Sequence, residues 1–166
     1  MTTGNGHRPV ASVPGALALA AWSVYALSAA LYFLPDVPPS ALIIGFGGLL
    51  ACSAVVLNLA YWRLVVILAS AVHLSFYAVR VGLMVGMTAD LDWSSLPSAL
   101  SFYYGSSWRV TAGILQERGT VGGLTHGFLE YAMPALSLAL IGLTLWSGGA
   151  KRGASQAGQT PPGASQ

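Results

Sequence analysis

The sequence predicts an all-α protein, a four-helix transmembrane bundle with an outward-facing amphipathic and aromatic loop between its third and fourth helices. Two observations lead there. Four apolar runs, Val10–Leu34, Val37–Trp62, Leu64–Ala89 and Phe128–Ala150, each supply the about 20 residues a helix needs to cross roughly 30 Å of hydrocarbon. Only 7% of the 166 residues are charged and 55% are hydrophobic, whereas a soluble domain carries about 25% charge. None of the runs alternates as a barrel strand would, and helices are then the way to satisfy the backbone in lipid.

The elements follow in order. Residues 1–11 and 149–166 are rich in Gly, Ser, Thr, Gln and Pro and read as disordered tails around one membrane domain, 12–148. The first span, 12–34, opens at Pro14, which a first helical turn tolerates. Its apolar stretch is longer than that of a signal peptide, so an uncleaved helix is expected. Pro35, Pro38 and Pro39 make a stiff turn into the second span, 41–61. Tyr61, Trp62 and Arg63 join it almost directly to the third, 64–88, as an antiparallel hairpin with an interfacial anchor. Small residues four apart, Gly47 with Ala51, Gly48 with Cys52 and Gly82 with Gly86, mark close helix approaches, read as packing within the chain rather than between copies.

The outer loop, 90–125, holds Trp93, Phe102, Tyr103, Tyr104 and Trp108, too many aromatics for a solvent loop. Ser107 is placed to cap a short helix from Trp108 to Arg118, Gly119 to end it, and a second turn to begin near Leu96-Pro97. The segment is expected to lie along the membrane surface, as an anchor or a lid. The fourth span, 127–147, should kink at Pro134, which has no N–H for the carbonyl of Glu130.

The few charges are sorted. Arg8, Arg63, Lys151 and Arg152 fall on one side of the four spans, and Asp36, Asp90, Asp92, Arg109, Glu117 and Arg118 on the other. The positive-inside rule then places both termini in the cytoplasm of a multi-pass plasma (inner) membrane protein. So few basic residues do not suggest nucleic acid. Cys52 is the only cysteine, which removes paired-thiol redox chemistry and leaves it as a small apolar filler.

Two charges break the pattern. Arg80 lies inside the third run and Glu130 near the start of the fourth, where ionisable groups tend to have a partner, a wet cavity or a function. At 1.5 Å per residue Arg80 sits about 12–14 Å from the outer boundary and Glu130 about 6 Å, a gap that a snorkelling Arg closes. The two are expected to pair. His73, Tyr77, Arg80, Met84 and Met87 share one face of the third span, and His126 and Glu130, four apart, one face of the fourth. A candidate polar pocket is therefore His73, Tyr77, Arg80, His126 and Glu130. The two histidines differ in depth by roughly 24 Å and cannot ligate one haem. Met84, Met87 and Met133 would suit copper but read better as apolar filler, so no metal is assigned. Asn58 reads as a hydrogen-bonding residue between helices. Gly45-Phe46-Gly47-Gly48 lacks the strand–turn–helix context of a nucleotide loop, and no motif identifies a cofactor.

Two functional classes fit. The first is a subunit or accessory of a larger membrane assembly, with the lipid bilayer and other membrane proteins as partners. The alternative is a membrane enzyme or carrier for a small hydrophobic molecule, with an outward-facing pocket around Arg80 and Glu130. A tight ion pair without a cavity favours the first, and an open cavity beside it the second.

Overall fold

A computed structural model describes residues 12–34, 37–88 and 96–157. The expected N-terminal tail, the Pro35–Asp36 corner, the Asp90–Trp93 segment and the end of the C-terminal tail lie outside the described residues. Among the described residues five α-helices follow one another: α1 Val13–Phe33, α2 Pro39–Val56, α3 Trp62–Thr88, α4 Leu96–Gly127 and α5 Met133–Ala157, with one π-helical turn, Phe128–Ala132, between the last two. Four helical segments are long and apolar enough to cross a membrane, as expected of a multi-pass membrane protein.

The helix ends have local causes. Ser12 caps α1, its Oγ accepting the Gly15 N–H at 3.2 Å. Leu34 ends it in extended backbone, ψ 135°, as the residue before a proline must. Pro38 is extended for the same reason, and α2 starts at Pro39. α2 ends at Val56, earlier than the span expected over 41–61. Asn58 adopts φ 54°, Leu59 donates to the Ala54 carbonyl at 3.0 Å and Asn58 to the Val55 carbonyl at 3.2 Å. This is a Schellman cap with asparagine in the left-handed position, so Asn58 turns the chain rather than bonding between helices. At the other end, α5 continues to Ala157 beyond the span expected to stop at 147, through residues 149–157 that were expected to be disordered. A helix already nucleated propagates cheaply through Ala, Lys, Arg and Gln.

α1, α2, α3 and α5 close a ring in which α1 packs on α2, α2 on α3, α3 on α5 and α5 on α1. The core is Ala18, Ala21, Trp22 and Tyr25 of α1, Ala51, Ala54 and Val55 of α2, Val66 and Ala69 of α3, and Met133 and Leu140 of α5. Small residues admit the large ones. Gly47 faces Ala69, and a Cβ on Gly48 would come 2.9 Å from Cδ2 of the Trp22 indole and closer still to Cε3. Gly82 does not act this way, for nothing lies within 4 Å of its Cβ position. The surface inverts that of a soluble protein. Leu42, Phe46, Leu49, Leu68, Leu83, Leu138 and Leu145 point outward, while Ser70, His73, Glu130, Ser137 and Thr144 are buried. Apolar groups face the bilayer because it welcomes them, and polar groups turn inward to find one another.

The expected aromatic loop is a helix. α4 begins at Leu96 rather than Ser107, and Gly119, at φ 69° and ψ −171°, breaks it into two arms, 96–118 and 120–127. That backbone region is open essentially to glycine alone, and an L side chain there would be strained by about 1–3 kcal/mol. The second arm folds back on the first. Leu115 sits so close to Gly123 that a Cβ there would come 2.9 Å from Leu115 Cβ, and Trp108 and Tyr131 stand 6.5 Å apart, ring to ring. The early turns of the first arm pack on the side of α3, where Leu96, Leu100 and Tyr104 share a groove with Tyr77, Val81 and Val85.

Candidate functional site

Helices α3 and α5 run antiparallel, and two polar pairs set their register. His73 Nδ1 lies 3.0 Å from Ser137 Oγ. Two turns further along α3, and two turns back along the chain from Ser137, Arg80 Nη2 donates to Glu130 Oε2 and closes an ion pair. Glu130 sits in the π-helical turn immediately before Pro134. There the Met133 N–H reaches back five residues to the Phe128 carbonyl. Proline's missing N–H and the widened turn belong together, because the helix need not supply an ordinary bond at that place. The kink expected at Pro134 therefore takes the form of a π turn that carries the carboxylate inward.

Glu130 is fully engaged. Its other oxygen, Oε1, accepts from the Tyr103 hydroxyl at 2.5 Å, and that hydroxyl accepts in turn from Arg80 Nη2 at 3.3 Å. The guanidinium also stands over the Tyr77 ring, 5.3 Å from its centroid. The Tyr77 and Tyr104 hydroxyls approach to 3.4 Å, tying α4 to α3 a second time. The pair is lopsided, since the Glu130 side chain is 5% exposed and that of Arg80 50%.

The exposed part of Arg80 borders a partly open cavity of about 290 Å³. Helix α3 lines it with His73, Phe76, Tyr77, Val79, Arg80 and Leu83, α1 with Tyr25 and Phe33, α2 with Ser40, Ala41 and Ile44, and the π turn with Leu129. The walls are mainly apolar, with a few convergent polar groups, as small-molecule sites usually are. All of Arg80's hydrogen bonds to the described residues leave through Nη2, and Nη1 and Nε donate to none of them. At the deeper end His73 is packed edge-on against Trp22 and Tyr25, at 6.2 and 5.7 Å between ring centroids. Ser137 takes its Nδ1, which leaves Nε2 as the ring nitrogen without a hydrogen bond to a described residue.

Of the five expected pocket residues, His73, Tyr77 and Arg80 line one cavity, and Glu130 stands behind Arg80 as its counter-ion. His126 does not join them. Its Nδ1 lies 2.8 Å from Thr111 Oγ1, and its ring 5.4 Å from that of Tyr32. The expectation that it shares a face with Glu130 assumed α-helical spacing, and the π turn from Phe128 changes the phase between them. His126 instead clamps the α4 hairpin to the end of α1, together with Arg118, whose Nη1 reaches the Tyr32 carbonyl at 3.4 Å. Of the three methionines, Met133 is wholly buried and Met84 largely exposed, and the side chain of Met87 lies outside the described residues. Three site residues escaped the sequence reading. Tyr103 had a signal in the aromatic triplet Phe102-Tyr103-Tyr104, whereas nothing in the first two spans singled out Tyr25 or Ser40.

Compared with protein-family models, with curated proteins and with solved structures, the chain has no match.

Proposed function

We propose that this multi-pass membrane protein binds a small hydrophobic molecule beside Arg80, as a carrier or a membrane enzyme. The observation that carries the reading is the divided guanidinium. One amino group is held by Glu130 and Tyr103, while the half-exposed side chain borders an apolar-walled cavity. A pair serving structure alone would be buried on both sides, because an exposed donor edge at membrane depth gains nothing. Glu130, Tyr103 and Tyr77 hold the planar guanidinium in one orientation, and its remaining N–H groups are left to donate to an oxygen of the guest. His73 and Tyr25 supply a second polar contact deeper in.

The sorting of basic residues supports an orientation with both termini in the cytoplasm and an outward-facing cavity in a plasma (inner) membrane. Reporter fusions at Gly105 and after Arg152 should read outside and inside respectively, and the reverse pattern would overturn this.

Native mass spectrometry from mild detergent tests the function. The wild-type chain is expected to carry a small-molecule adduct that Arg80→Lys loses while keeping its fold, since an ammonium keeps the charge but not the fork. A bare wild-type chain with a stoichiometric protein partner would instead establish the accessory-subunit reading.

A further inference from the structure

We infer that the molecule held beside Arg80 is a neutral lipophile bearing a carbonyl oxygen, not an anionic amphiphile; this rests on the ligand-binding reading above. A guanidinium has only donors to offer. Arg80 lines the cavity, and its Nη1 and Nε donate to no described residue, so the guest must bring an acceptor.

Charge balance decides which kind. Arg80 and Glu130 already cancel, and both Glu130 oxygens are occupied. A carboxylate or phosphate would place two anions on one cation at membrane depth and leave an uncompensated negative charge. No other lysine or arginine among the described residues lines the cavity: Arg63 stacks on Trp62, Arg118 on Tyr32, and Arg109 borders a separate groove. His73 could answer an anion only as a cation. It would then be a buried charge among Trp22 and Tyr25, hydrogen-bonded to a serine hydroxyl and not to a carboxylate. A carbonyl oxygen meets the need without adding charge. It has lone pairs for the remaining N–H donors and no hydrogen of its own to place. The apolar walls at Phe76, Leu83 and Leu129 suit the body of such a molecule, and the partly open side lets a longer tail run into the bilayer.

The test uses the full chain in lipid nanodiscs at a pH where a fatty acid is ionised. Three probes of equal length are titrated: a methyl ketone, the corresponding carboxylate and the alkane. Saturable binding is read by calorimetry and by the rise in melting temperature. The ketone is expected to bind at least about tenfold more tightly than the other two, the factor expected for a hydrogen bond to a charged donor. Arg80→Lys should reduce that advantage and leave alkane binding as it was. Leu83→Trp, which fills the cavity and leaves the ion pair intact, should abolish binding of all three; it carries the test if Arg80→Lys does not fold. Tighter binding of the carboxylate would overturn the neutral class while the ligand-binding reading stands. No saturable binding of any probe to the wild type, or binding indifferent to Leu83→Trp, would overturn that reading itself.

Discussion

Arg80→Ala is expected to lower the stability of the purified protein by roughly 3–5 kcal/mol, the range for stranding one member of a buried pair. It leaves Glu130 buried in the π turn, with the Tyr103 hydroxyl as its remaining hydrogen-bond donor. The reverse change, Glu130→Ala, should be milder. Arg80 is already half exposed to the cavity and has a flexible stem that can carry its charge toward the interface. The double mutant should recover part of the larger loss, because neither charge is then left alone. Thermal denaturation of the four proteins in one detergent measures the coupling. Strictly additive losses would mean that the contact carries no energy, and Arg80 would lose its role as a positioned donor.

Trp22→Ala should be the other severe change, at about 3 kcal/mol. That is the lower end for truncating a buried aromatic, since burial from lipid removes no surface from water and packing supplies the energy. Trp22 is 2% exposed and lies over Gly48. Gly48→Leu should by itself also damage the fold, by roughly 1–3 kcal/mol, because a buried indole cannot move aside as the tip of a flexible chain would. Combining the two exchanges volume across one contact, so the double mutant should be more stable than Trp22→Ala alone. If Gly48→Leu melts like the wild type, α1 and α2 do not approach as closely there as the structure has them.

The first, second and third spans could be read from the chain because their signals are local. Prolines 14, 35, 38 and 39 and the length of each apolar run act within a few residues, whatever the rest of the molecule does. Gly47 and Gly48 were legible for the same reason, as small residues in an apolar helix have few other uses. Asn58 was misread because asparagine serves both interhelical hydrogen bonds and left-handed caps, and only the neighbouring carbonyls distinguish them. The first arm of α4 was legible as a helix only from Trp108 to Arg118, because Ser98, Ser101, Gly105 and Ser106 before it are weak helix formers. Contacts of Tyr103 with Glu130 and of Tyr104 with Tyr77 outweigh that preference.

The candidate site divides along the same line. That Arg80 and Glu130 belong together followed from the scarcity of charge in the spans and from a fixed rise per residue, both properties of the sequence. So did the placing of His73, Tyr77 and Arg80 on one face. The tertiary structure alone decided that His126 turns to Thr111, that Tyr103 completes the carboxylate, and that Tyr25 and Ser40 share a cavity with Arg80. Those depend on the phase of the π turn, the fold-back at Gly119 and the space left between α1, α2 and α3. Each is set by how whole helices pack against one another, and a periodicity along one chain does not encode the gap between three of them.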